Sequence, residues 1–239
     1  MPKNETRCSC EPKPVTVTQY KDGQWAVHPD VVSIEVPIKL NFNDESYTLW
    51  AWPEHLEDLV AGHALLDLGG GSTETTVEKV SDDEFTVTVG DAIENTLEPG
   101  KLHGSEMLEA MAKFIDEEGM WHGTGCFHRA GVYDANSHTM LHRTEDIGRH
   151  NCVDRLAGWA SRTGTPLSGL VLMISARVTA SLCAKATRAG FKFIVSRSAV
   201  TSASIGMAQE HGITLVGFAR DQEKRFTVFH DLQTPRVLT

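Results

Sequence analysis

The chain has 239 residues, 22 Lys+Arg against 32 Asp+Glu, a net charge of −10 and five cysteines. At 41% hydrophobic and 23% charged it has the composition of a globular protein with a sizeable core, and no apolar run approaches the roughly 20 residues of a membrane span. The acidic balance argues against nucleic-acid binding; an odd number of unevenly spaced cysteines and the absence of an export signal read as reduced thiols in the cytoplasm.

Residues 1–28, with Cys8, Cys10, Pro12 and Pro14, read as a flexible tail. Residues 31–40 turn β-branched and partly alternating, a strand with Pro37 at a bulge or edge. Asn43-Asp44 turns the chain, and residues 46–52 return as the second strand of a hairpin. Pro53 is expected to open a helix with Leu56, Leu59, Val60, Ala64 and Leu65 on one face. Gly69-Gly70-Gly71-Ser72 reads as a loop, because no Lys-Ser/Thr follows to make a phosphate loop. Residues 74–80 and 84–89 form a second hairpin, and Ser105 caps a helix with Leu108, Met111, Phe114 and Ile115 in its stripe.

The period then changes. Strands at 132–133 and 140–141 flank a turn at Asp134-Ala135-Asn136, and residues 149–162 are helical. Apolar strands at 169–175, 191–196 and 213–219 alternate with helices at 179–189 and 201–211, and a short strand follows at 226–229. Such alternation implies an α/β sheet covered on both faces. The divisions expected are the tail (1–28), a β-rich N-terminal subdomain (29–103) and an α/β domain (104–239).

Residues 155–209 contain no Asp or Glu but seven cations: Arg155, Arg162, Arg177, Lys185, Arg188, Lys192 and Arg197. The rest of the chain therefore sums to −17. Either these cations pair with carboxylates elsewhere, or they collect a small anionic ligand. Three strand ends offer hydroxyl or guanidinium groups: Ser175-Ala176-Arg177, Ser196-Arg197-Ser198 and Phe218-Ala219-Arg220. Ligands of α/β sheets bind at such carboxyl ends, although Ser/Thr capping alone also accounts for the hydroxyls. The string Glu145-Asp146-Ile147-Gly148-Arg149-His150-Asn151 enters a helix, where free amides attract anions and Arg149 and His150 add donors. Thr124-Gly125-Cys126-Phe127-His128 holds the main thiol candidate, with His128 as acid/base partner; the alternative is a small buried cysteine. Cys152 and Cys183 read as buried. Cys126 and His128 with His150 and Cys152 make a poor zinc set, since the spacing within each pair is tighter than usual, and no metal site is expected.

Together these segments resemble the formate dehydrogenase accessory sulfurtransferase (FdhD) family. The resemblance runs in order from about Val31 to Val228 through Glu35-Val36-Pro37-Ile38, the helix after Pro53, Thr124–His128, Glu145–Asn151 and the three strand ends. It implies a cytidine-deaminase-like three-layer core without zinc, and a homodimer. It implies binding of the molybdenum (or tungsten) cofactor as bis-molybdopterin guanine dinucleotide, through a nucleotide-contact segment at Phe218, Ala219, Arg220, Asp221, Gln222 and Glu223. It also implies sulfur transfer from a cysteine desulfurase to that cofactor for the formate dehydrogenase apoprotein. The chain departs from the family in that residues 84–120, where members carry Cys-x-x-Cys, hold no cysteine, and Ser181 replaces a common glutamate. Either Cys126 or the Cys8/Cys10 tail carries sulfur, making the protein a sulfurtransferase, or the chain is a non-catalytic cofactor-binding chaperone.

Overall fold

An Asp-Gly pair makes the first turn. In this computed structural model, which describes residues 10–69, 73–92 and 97–239, Asp22 and Gly23 take φ of 52° and 84°. That two-residue geometry matches the twist of paired strands. It joins β1 (Lys13–Lys21) to β2 (Gln24–Val32), in register from Lys13↔Val32 to Lys21↔Gln24. The flexible tail expected over residues 1–28 is thus corrected from Lys13 onward. The alternation of Val15 and Val17, answered by Trp25 and Val27 beyond an Asp-Gly turn, outweighs the segment's low apolar content. Cys8 and the run Gly70–Ser72 lie outside the described residues.

A four-stranded sheet follows, in the order β4-β3-β6-β5. Its strands are β3 (Val36–Phe42), β4 (Glu45–Ala51), β5 (Thr73–Lys79) and β6 (Glu84–Ala92). Pro37 faces Trp50 in β4, whereas β6 pairs with β3 only over Lys39 to Phe42. The proline therefore sits where β3 has an open side, and no ladder bond is lost. Helix α1 (Leu56–His63) starts later than Pro53. The carbonyls of Trp52, Glu54 and His55 accept instead from the Arg155 guanidinium. After β7 (Leu102–His103), helix α2 (Gly104–Asp116) is capped at His103, whose N–H donates to the Glu106 carboxylate at 3.2 Å, rather than at Ser105. A short α3 (Met120–Thr124) follows.

The second half is β8 (His128–Asp134), β9 (Thr139–Asp146), α4 (Arg149–Thr163), β10 (Val171–Ile174), α5 (Ala180–Arg188), β11 (Phe193–Ser196), α6 (Ser202–Glu210), β12 (Thr214–Arg220), β13 (Arg225–His230) and β14 (Val237–Leu238). Six of these strands form one sheet, ordered β13-β12-β11-β10-β8-β9, in which β10, β11 and β12 run parallel. Alternate residues serve opposite faces. Val132, Leu172, Ile174, Ile194 and Leu215 pack with Leu156 of α4 and Leu182 of α5. Tyr133, Val171, Met173, Val195 and Val216 pack with Met107, Met111 and Phe114 of α2. The architecture is mixed α/β, with this sheet between two helical layers. Among the described residues no helix is long and apolar enough to cross a membrane.

The β-rich half is clamped to the sheet by α1 crossing α4. A Cβ on Gly62 would lie 1.7 Å from the Asp154 carbonyl oxygen, and one on Gly158 would lie 2.0 Å from that of Asp58. Only hydrogen fits at either point. Gly158→Ala should therefore push the helices apart and cost about 1–3 kcal/mol or more, read as a lower urea midpoint. Gly206→Ala, in α6 with open space around it, should stabilise by about 0.5–1 kcal/mol. Equal midpoints for Gly158→Ala and the parent would refute so close a crossing.

Candidate functional site

Strand direction gathers the candidate residues on one rim. β10, β11 and β12 end there, carrying Ser175 to Arg177, Arg197 to Ser198 and Phe218 to Arg220. β8 is antiparallel to β10, with Ile174↔Ala130, and His128↔Asp146 pairs β8 with β9. The start of β8 and the end of β9 therefore reach the same rim, bringing His128 close to Arg149 and Arg177.

A polar cleft of about 310 Å³ opens among Ser175, Arg197, Ser198, Arg220, Gln222 and Glu223. Ser196 lies beneath it, fully buried; its hydroxyl donates to the Ala176 carbonyl (2.8 Å) and accepts from the Ser198 N–H (2.9 Å). The Ser198 hydroxyl donates to the Ser175 carbonyl at 2.8 Å, linking two strand ends. Phe218 takes φ 53°, donates its N–H to Ser198, and lies under the guanidinium groups of Arg225 (5.0 Å) and Arg220 (5.5 Å). Arg220 also donates to Glu223 at 2.6 Å. Ala219 is fully buried on the α2 side, and Asp221 stands in the turn, its carbonyl accepting from the Lys224 N–H.

The structure divides the seven cations of the carboxylate-free stretch. Arg155 pairs with Asp146, Arg162 with Asp58, Lys185 with Asp154, Arg188 with Asp67 and Lys192 with Glu98. The carboxylates come from elsewhere in the chain, as the pairing alternative supposed. Among the described residues only Arg177 and Arg197 of the seven have no ion-pair partner. Lys185 also sits within the group His63, Asp67 and Asp154, its Nζ 2.7 Å from carboxylate oxygens of both aspartates, in the place a cation would take.

Cys126 is exposed, beyond Gly125 at φ 66°. Its N–H donates to Thr124 Oγ1, which also accepts from Ser33 Oγ at 2.9 Å, so the segment after β2 is tied to the thiol loop. Phe127 is buried edge-on against Trp52 at 5.4 Å, and the Trp52 indole donates to the Cys10 carbonyl at 3.3 Å. Half-buried His128 has its pKa lowered by burial, then by Arg149 and Arg177. Among the described residues no hydrogen bond joins its ring to the Cys126 thiol. Arg149 has a buried Nε without a partner, and His150 Nε2 lies 3.1 Å from Ser181 Oγ.

The rest of the 145–151 string is structural. Glu145 pairs with the buried Arg129, Asp146 is fully buried against Arg155, and Asn151 donates to the Trp50 carbonyl and to Asp146. Cys152 and Cys183 are buried, and burial raises both thiol pKa values, far above the usual range for Cys152. Nothing local in the sequence marks Arg129 or Trp52, whose roles arise from partners remote in the chain.

His128 and His150 both sit below the ordinary value of 6.5, with burial the largest cause in each. The unfolded chain then takes up these protons first as pH falls. Their contribution to stability is complete above 6.5 and is lost as pH drops from 6.5 towards the folded-state values. An NMR titration of the His128 ring should give a midpoint below 6.5. Arg149→Ala should raise that midpoint without restoring 6.5, because burial remains. A parent midpoint at or above 6.5 would contradict the site's electrostatics.

Comparison with known proteins places this geometry. The FdhD/NarQ family model matches residues 71–235. The sulfur carrier protein FdhD of Bacillus pumilus is 26% identical over 253 residues, covering 90% of this chain and 94% of its own. That of Listeria innocua is 29% identical over 241 residues, covering 85% and 92%. A solved structure from Desulfotalea psychrophila, a proposed formate dehydrogenase accessory protein, superimposes with a TM-score of 0.81 over 95% of this chain and 99% of that one, at 22% identity. This last likeness is one of fold. With most of its length matched by the family model, and with the rim motifs in place, the chain belongs to the FdhD/NarQ family.

Proposed function

We propose that the chain carries sulfur as a persulfide on Cys126, from a cysteine desulfurase to the bis-molybdopterin guanine dinucleotide cofactor, for a formate dehydrogenase apoprotein. On this reading it works in the cytoplasm as a homodimer, with a cytidine-deaminase-like core. The observation that carries the reading is an exposed thiol on the same rim as Arg177 and Arg197, which have no ion-pair partner among the described residues. The names of the relatives support it.

The chemistry assigned to this chain's residues is limited. The Cys126 thiolate attacks the outer sulfur of the desulfurase persulfide; the new S–S bond forms on Cys126, and the desulfurase cysteine leaves as thiolate. His128, biased to the neutral form by burial and two guanidinium groups, is the proton acceptor. The cofactor is cargo. Arg197 and Arg220 with the Ser175 and Ser198 hydroxyls suit its phosphates, and Gln222 and Glu223 offer a donor and acceptors to a purine edge. Arg149 and Arg177 extend the cationic wall towards Cys126.

A second reading, a cofactor-binding chaperone without sulfur transfer, is favoured by the lack of any cysteine in residues 84–120. Incubation with desulfurase and cysteine, followed by mass spectrometry, separates the two. We expect a one-sulfur adduct mapped to Cys126 and lost in Cys126→Ala, with GDP binding weakened at least tenfold by Arg197→Ala. Loading of Cys126→Ala at the parental level would remove Cys126 from the mechanism. No adduct on the parent, with Arg197-dependent GDP binding intact, would establish the chaperone reading.

A further inference from the structure

Away from the rim, α2 and strand β9 leave a groove of about 290 Å³ between them. Tyr133, in its wall, lies five residues along β8 from His128, roughly 17 Å at the rise of a strand. Phe114, Ala110 and Met140 give the groove an apolar side, and Glu106 stands at its edge.

Tyr133 is 6% exposed, and among the described residues its hydroxyl has no hydrogen-bond partner. The ring is buried but the oxygen is not closed off, so its hydrogen-bonding capacity is open to whatever enters the groove. The space its oxygen opens onto is the groove itself. Burial, then the Glu106 carboxylate, raises its pKa, which favours the protonated phenol.

The surrounding charges select the guest. Lys113 is taken by Glu109 at 2.7 Å, and Glu117 by Arg143 at 3.0 Å. Glu106 accepts one backbone N–H from His103 and, among the described residues, has His138, 4.0 Å away, as its one cationic neighbour. One carboxylate with capacity to spare, one phenol oxygen without a donor, and an apolar wall fit a planar cation on an apolar stem, which is an arginine side chain. The neighbouring backbone indicates where that arginine comes from. β9 is the edge of the six-stranded sheet and pairs with β8 alone, so its outer N–H and C=O groups at Thr139 to His142 are available to an extended chain.

We propose that this groove is a docking site for an extended segment of a partner protein, whose arginine side chain lies along Phe114 and Met140 with its guanidinium between Tyr133 and Glu106. The site is separate from the sulfur and cofactor reading and does not depend on it.

The full chain labelled with methyl-¹³C methionine tests this. The Met140 methyl signal, assigned with Met140→Leu, is followed during titration with acetyl-Val-Arg-Val-amide. We expect a saturable shift at millimolar peptide, with the citrulline analogue at least tenfold weaker. Tyr133→Phe should weaken binding at least threefold at an unchanged melting temperature, since the phenol has no bond to lose. Glu106→Gln, which keeps an acceptor for the His103 N–H, should do the same and stands in if Tyr133→Phe fails to fold. The absence of a saturable shift, equal binding of the citrulline peptide, or parental affinity in both variants would overturn the proposal. Free arginine binding as tightly as the peptide would overturn the docking of a segment and leave a small-cation pocket.

Discussion

The ion pair between Asp146 and Arg155 holds the site's parts in one place. Both side chains are at least 98% buried, and neither has a spare bond. Asp146 accepts from Arg155, from the Gly148 N–H at 2.9 Å and from the Asn151 amide at 3.0 Å. Arg155 spends its remaining donors on the carbonyls of Trp52, Glu54 and His55. Such a pair adds little net stability compared with apolar side chains of the same shape, but losing one partner strands a charge and costs about 3–5 kcal/mol. Its value here is geometric. It joins the end of β9, the first turns of α4 and the entry to α1.

That junction explains how the thiol loop is held. Trp52 is fixed by its carbonyl bond to Arg155, and its ring backs Phe127, the residue after Cys126. On the other side, Ser33 bonds Thr124. A loop with glycines at 123 and 125 would otherwise sample many conformations; here its two flanks are anchored while the Cys126 side chain stays exposed. The same junction sets the start of α4, so Arg149 and His150 project from a rigid helix, where a binding geometry is best preserved.

The strands and helices of the second half were legible because their periods differ. Apolar runs of a few residues alternate with helical spacing, and Gly164, Gly190 and Gly212 mark turns with positive φ. The first hairpin is hidden in the sequence for a physical reason. Its strands are almost wholly exposed, so apolar content is low, and the signals left are the Asp22-Gly23 turn and the sparse alternation of Val15, Val17, Trp25 and Val27 around it. The 145–151 string was legible as important but not as divided. Glu145, Asp146 and Asn151 serve the framework through Arg129, Arg155 and Trp50, while Arg149 and His150 face the rim. Every one of the framework partners except Arg155 is remote in sequence, and burial of a polar side chain cannot be read from the chain alone.

The charge distribution follows from the same division. Five of the seven cations in the carboxylate-free stretch are consumed in ion pairs: Arg162, Arg188 and Lys192 with carboxylates of the β-rich half, Arg155 and Lys185 with Asp146 and Asp154 of the second half. The chain as a whole is acidic, and of the seven cations in the stretch Arg177 and Arg197 are the ones left without an ion-pair partner among the described residues, close to Arg149 at the strand and helix ends. Screening confines such a patch to about 8 Å at physiological ionic strength. A long polyanion would meet mostly repulsion from the remaining surface. A compact ligand with several anionic groups would fit within the patch and gain contacts from guanidinium, hydroxyl and helix-start amide groups together. On the proposed reading, the acidic composition and the cationic rim would act together, against extended polyanions and for a compact one.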